Sequence, residues 1–483
     1  MKVAATISVI LAVCVGCGDD CIETSGDLSD ALSGASAGDT VRACAGRFEG
    51  AFEVPSGVTL RGAGAGETVL SGPDGDFSVR LRPSADESID VRDLSVEWRS
   101  HAAVLAMGEG AVSMQSVVVE VHDGASTGLG IAAEGLSGLA LTDVSVLGPV
   151  TRENPRDYPH FDGVAQWTTS APAFGIVSVR VSGGVFEEVE VRGFSAGGVQ
   201  LIDGVTSWVG GSICGNLETS LLVYGGQATL EAVEICDLFK ADTGRLVAPT
   251  GVFVAEGASL STTGLRVTGS EEGSVGVVHD RSSGSHDGLV VTGNLHRGVQ
   301  VQHCEGSADA PSVSLRDVDL SRNGYAGLLA VEATGIVVDG ATIDETVLRA
   351  SVEADIGDGV QIVRCADPGV ACETALAGIV LQDLRLANNG RVGLLVSANN
   401  DTASGVSVDG VTVSGEGAAF GALVQLADDA PGGWDSIARE GAVAANDPTF
   451  DGILETAGVV DPEFLPGQEL SGGGLGAALG DLD

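Results

Sequence analysis

Apolar residues alternate with polar or small ones in short runs along most of this chain, and the runs recur about every 22 to 34 residues. A typical run opens on Gly or Ser. Examples are Gly-Val-Gln-Leu at 198, Ser-Leu-Leu-Val at 220, Gly-Val-Phe-Val at 251, Gly-Val-Gln-Val at 298, Gly-Val-Gln-Ile at 359 and Gly-Leu-Leu-Val at 393. Alternation with period 2 is the signature of a β-strand with one face buried. The residues one and three places after the opening one are then the inward ones: Val199 and Leu201, Leu221 and Val223, Val252 and Val254, Val299 and Val301, Val360 and Ile362.

A second apolar run follows in each unit, as in Leu315-Arg316-Asp317-Val318-Asp319-Leu320 and Leu381-Gln382-Asp383-Leu384-Arg385-Leu386. It reads as two short strands meeting at a corner marked by Asp or Gly. Several units close on Asn (Asn216, Asn294, Asn323, Asn389), a residue that tolerates the left-handed conformation of a sharp corner and can pair along a stack. Units of fixed period that cannot bury a face alone must stack, so the pattern predicts a solenoid. The strict hexapeptide period of a left-handed β-helix and the Leu/Asn spacing of leucine-rich repeats are both absent.

Before the repeats, residues 27–37 place Leu28, Ala31 and Leu32 on one helical face. The segment from Gly38-Asp39-Thr40-Val41 to Gly57-Val58-Thr59-Leu60-Arg61-Gly62 then leads into the first coil. This order, with the repeats behind it, resembles the pectate-lyase-like right-handed parallel β-helices over about three quarters of the chain. The resemblance implies an all-β solenoid of about a dozen coils with a short N-terminal capping helix. The expected division is a signal peptide at 1–16, a tether and cap at 17–56, the β-helix at 57–427, and a C-terminal cap with an acidic Gly-rich tail, partly disordered, at 428–483.

Composition sharpens this picture. The 483 residues include 72 Gly and only 4% aromatics, which suits many tight turns around an aliphatic core. Sixty-seven acids against 24 bases give a formal charge of −43, and phosphate binding needs clustered Lys and Arg, so nucleic acid is not an expected partner.

The N-terminus reads as a targeting segment: Lys2, then an apolar stretch from Val3 to Val15. Cys14-Val15-Gly16-Cys17 resembles a bacterial lipobox with Cys14 where Leu is usual, which implies lipidation of Cys17. Modification at Cys14, or an ordinary cleaved signal, are the alternatives. Export permits disulfides. Cys214 and Cys236 lie in equivalent phrases 22 residues apart, hence on adjacent rungs about 4.8 Å apart. Cys21 with Cys44 would staple the cap, and Cys365 with Cys372 would close a small loop, leaving Cys304 free.

Three groups of residues are candidates for chemistry. Aligning coils on their opening residues places Glu256, His279, His303, Glu332 and Arg364 five positions on, in one column, with Asp203 two rungs before Glu256. Neighbouring carboxylate and imidazole groups suit acid–base catalysis or metal binding, and a polar strand edge facing water is the alternative. The long excursion at 150–174 concentrates Arg156, Tyr158, His160, Phe161, Asp162 and Trp167, a set suited to sugar rings. Its Tyr158-Pro159-His160 resembles the catalytic loop of alginate epimerases only in residue types. The spacing departs, and no role is carried over. Folding back over an apolar patch is the other reading. Third, Asp317, Asp339, Asp383 and Asp409 are expected at one corner on successive coils, where turn hydrogen bonds, salt or a bound calcium would offset their repulsion.

The outward positions Gln200, Leu222, Phe253, Gln300, Leu329, Gln361, Leu395 and Leu423 are apolar or amide. They mark either a contact strip or a face lying under a loop or tail. The resemblance implies an exported lipoprotein anchored in the cell envelope, at the outer membrane or cell surface. Its partner would be polysaccharide or an envelope component, bound as by a binding module or turned over as by a lyase or hydrolase. A non-catalytic adhesin or scaffold is the main alternative. Metal delivery, by resemblance to the periplasmic β-helix protein that serves nitrous-oxide reductase, is a weaker one.

Overall fold

A computed structural model describes residues 21–73, 77–98, 102–121, 128–149, 172–238, 249–269, 274–347, 349–350, 355–364, 375–397, 405–414, 420–425, 438–439, 444–445 and 454–455. The targeting segment with Cys17, most of the 150–174 excursion and the Cys365–Cys372 loop lie outside them.

The capping helix, Ser25–Gly34, starts at Thr24, whose hydroxyl accepts from the Asp27 amide at 3.2 Å. Leu28 and Leu32 are buried and close the end of the core. Behind it the strands stack in register into a right-handed parallel β-helix, as two sheets of 23 and 16 strands. Among the described residues, the 16-strand sheet runs from Phe52–Val54 to Leu454–Glu455, and only Arg349–Ala350 pairs antiparallel.

The register shows why each coil opens on a small residue. A Cβ at Gly251, Gly276, Gly298, Gly327 or Gly359 would stand within 2.9 Å of the carbonyl oxygen of the next rung. The predicted inward pairs, Val199 and Leu201 through Val360 and Ile362, are all buried in one continuous core. Both disulfides expected within the described residues are present. Cys21–Cys44 and Cys214–Cys236 have Cα separations of 5.0 and 4.5 Å, and Cys304 is a free, buried thiol.

Two corner expectations need correction. The four Asn side chains are buried, but the left-handed residue is the one before three of them: Gly215, Gly293 and Arg322. At the fourth it is Asn388, preceding Asn389. The Asn amides turn inward and serve backbone groups. Asn323 Nδ2 donates to the Val291 carbonyl at 2.9 Å, and its Oδ1 accepts from the Asn294 amide at 3.1 Å.

The aspartates do not form one column. Asp317 pairs with Gly340 and Asp383 with Gly410 in register, so acid and glycine alternate at the left-handed corner. Asp339 and Asp409 sit one residue earlier, in strands. At Asp317 and Asp383 the carboxylate folds over the next rung, which is a glycine, whereas earlier in the same row Ser116 follows Asp93 and Glu188 follows Asp143. A Cβ at Gly340 would meet Asp317 Oδ1 at 2.7 Å.

Candidate functional site

The outward strip on the 16-strand sheet exists, since Gln200, Leu222, Phe253, Val278, Gln300, Leu329, Gln361, Leu395 and Leu423 follow one another in register. It is not an open face. Gln200, Leu222, Phe253, Gln300, Leu329, Gln361 and Leu395 are all buried. Apolar clusters independent of the inner core lie along it, such as Leu222 with Phe253, Ala255, Val275 and Val278.

At the end of each of these strands the chain turns through a left-handed residue. The corner row runs Arg180, Asp203, Gly225, Glu256, Arg281, His303, Glu332, all with φ between 47° and 71°. Arg364 continues it. Each turn is fixed by backbone donation to the next rung: Arg281 N to Gln302 O at 3.2 Å, His303 N to Val331 O at 3.1 Å, Glu332 N to Val363 O at 3.0 Å.

Glu256, His303, Glu332 and Arg364 therefore share one edge, and Asp203 stands two rungs before Glu256, as the spacing implied. His279 does not. It pairs with Val254 and Val301, two inward positions, and is fully buried. The coil opens on Gly276, so the fifth position on is Arg281. Counting from the glycine row instead of from Ser274 is the signal that would have found it.

Five ionisable side chains meet on this edge. Asp280, 5% exposed, pairs through Oδ1 with His303 Nδ1 at 2.9 Å and accepts from Arg281 Nη2 through Oδ2 at 3.3 Å. Arg281 Nη2 also lies 3.1 Å from Glu256 Oε1. His303 is 41% exposed and presents Nε2 to Glu332 Oε2 at 3.6 Å. A carboxylate only accepts, so Asp280 places a proton on Nδ1 and leaves Nε2 as the exchanging atom. The hydrogen bond to Asp280 outweighs desolvation and holds the His303 pKa above its usual range. An oriented imidazole, a second carboxylate and a guanidinium on neighbouring rungs can donate, accept and stabilise charge in one reaction. Asp280 carried no signal of its own in the sequence.

His279 and His286 instead form an internal pair. Their Nε2 atoms are 2.8 Å apart, with Ser282 Oγ on one outer nitrogen at 3.1 Å and Thr262 Oγ1 on the other at 2.9 Å. Burial drives both pKa values down, that of His286 to about 4. Among the described residues, no group of three or more His, Cys, Asp or Glu is placed to hold a metal ion. The residues named for sugar contact (Arg156, Tyr158, His160, Phe161, Asp162, Trp167) lie outside the described residues.

No family model matches the chain, and no curated protein does. Solved structures align with most of it, at low TM-scores. The mannuronan C-5 epimerase AlgE6 A-module of Azotobacter vinelandii is 14% identical over 91% of this chain and 100% of its own, with a TM-score of 0.28. The catalytic domain of a GH87 alpha-1,3-glucanase in complex with nigerose is 13% identical over 91% and 69%, at 0.33. A mannuronic acid specific polysaccharide family 6 lyase from human gut microbiota is 10% identical over 90% and 91%, at 0.37. Likeness at this level says nothing about which residues act, or on what.

Proposed function

We propose that this protein is an exported β-helix, lipid-anchored through Cys17, that binds a linear polysaccharide along the corner edge around His303 and acts on it by acid–base chemistry. The observation that carries the reading is the Asp280–His303–Glu332 arrangement with Arg281 beside it. The edge repeats at about 4.8 Å per rung. That is comparable to the rise of one sugar in an extended glycan, so a linear polymer laid along the axis meets an equivalent corner at every unit. Two disulfides support export.

Burial of the outward strip removes the surface on which an adhesin or scaffold reading rested. Metal delivery is not favoured either, because His279 and His286 bond to each other inside the tube.

The test is a screen of purified protein against a polysaccharide panel, with and without calcium, reading both binding and chain cleavage. Wild type is expected to bind at least one glycan, and His303→Ala to abolish turnover while keeping the fold. A panel with no binding, or turnover indifferent to His303→Ala, overturns the proposal.

A further inference from the structure

The charged corner has a gap one rung wide. Between Asp203 and Glu256 the row holds Gly225, and the residue just before it is Tyr224. Tyr224 faces outward in register between Ile202 and Ala255. Its ring rests on two outer apolar clusters, one containing Ile202 and the other Leu222 and Phe253, and stays partly exposed. A side chain at Gly225 would collide with Asp203 Oδ1, so the gap cannot be filled without displacing that carboxylate. Burial, with the nearby carboxylates of Glu256 and Asp203, holds the Tyr224 hydroxyl in its neutral, donating form.

We infer that Tyr224, framed by Asp203 and Glu256, is a binding subsite for one uncharged sugar ring of the glycan whose chemistry takes place at His303. A half-buried aromatic ring offers the apolar face that a pyranose stacks on. The two carboxylates are acceptors for the sugar hydroxyls around that ring. The same carboxylates repel a uronate, and a chain of formal charge −43 repels a polyuronate as a whole. The cations flanking the site do not offset this, because Arg180 is paired with Glu134, and Arg281 and His303 are outnumbered by Glu256, Asp280 and Glu332, with which they pair. Register places Tyr224 three rungs from His303, about 14 Å along the axis. A ligand must therefore exceed three sugars to engage both.

This inference rests on the polysaccharide reading, and its test separates the two. The full chain is titrated calorimetrically with neutral hexasaccharides (β-1,3-gluco-, β-1,4-gluco- and β-1,4-manno-linked) and with hexameric mannuronate and galacturonate. A neutral hexasaccharide is expected to bind, with Tyr224→Ala weakening it about tenfold and Tyr224→Phe by less than about threefold. The circular-dichroism melting curve of each variant controls for folding. A neutral ligand held equally well by a folded Tyr224→Ala overturns the subsite and leaves the polysaccharide reading standing. Tighter binding of either uronate overturns the uncharged class. Binding of none of the five overturns both.

Discussion

His279 Nε2 and His286 Nε2 stand 2.8 Å apart inside the apolar core, and each imidazole is completed by one hydroxyl. Two neutral rings satisfy this chain of donors and acceptors, whereas two protonated rings do not. The folded pKa values are depressed, so the unfolded state binds more protons below about 6.5 and stability falls as pH drops from there towards 4. For His286 alone the shift to about 4 corresponds to roughly 3 kcal/mol. A His279→Leu/His286→Leu variant lacks this linkage. The urea midpoint of wild type minus that of the variant is expected to fall between pH 7 and pH 4. A constant difference would show that the pair ionises without cost.

The sign reverses at His303. Its folded pKa is raised, so its contribution is fully present below the unfolded value and is lost as pH rises through the folded one. The side chain is 41% exposed, which limits the stability effect to under about 1 kcal/mol. The sharper readout is the titration itself. Asp280→Asn removes the main cause of the shift and is expected to lower the His303 pKa, followed by NMR of the ring protons. Glu332→Gln, a smaller cause, is expected to lower it less. An unmoved titration in Asp280→Asn would reject Asp280 as the orienting group.

Much of this was legible because the repeat converts sequence distance into spatial register. Inward aliphatics, the Cys214–Cys236 disulfide and the shared edge of Glu256, His303, Glu332 and Arg364 all follow from counting along one unit. Counting fails where a unit opens ambiguously. Ser274 and Gly276 both suit an opening residue, and a two-residue slip preserves strand alternation, so His279 stayed in phase with inward residues while being assigned to the corner. The corner itself hid a second rule. From Asp317 to Gly410 acid and glycine alternate there, each carboxylate folded over the next rung, a relation between rungs that no single unit displays.

That rule makes Gly340 and Gly264 a controlled comparison. They occupy the same corner row with φ of 74° and 64°. A Cβ at Gly264 meets nothing within 4 Å, while at Gly340 it meets Asp317 Oδ1 at 2.7 Å. Gly264→Ala is expected to cost only the left-handed strain, about 1 kcal/mol. Gly340→Ala should cost about 1 kcal/mol more, and Asp317→Ala in the same chain should recover that difference. Equal destabilisation at both sites, by thermal or urea melts, would refute the stacking of acid over glycine.

The buried pair of Asp358 and Arg391 sets the last expectation. Asp358 is fully buried and Arg391 is 8% exposed. Arg391 Nε donates to Asp358 Oδ1 at 2.8 Å, its Nη2 donates to Oδ2, and Gln361 Nε2 also donates to Oδ2. A carboxylate held this way accepts three hydrogen bonds, and removing it leaves a desolvated guanidinium with nothing to replace the lost charge. Asp358→Ala is therefore expected to lower stability by about 3–5 kcal/mol. Asp93→Ala, which breaks the exposed ion pair with Arg61 at 2.9 Å, should cost under about 1 kcal/mol. Arg391→Lys keeps the charge but loses the two-point contact, and should fall between them. If Asp358→Ala and Asp93→Ala shift the urea midpoint equally, the buried pair contributes no more than a surface one.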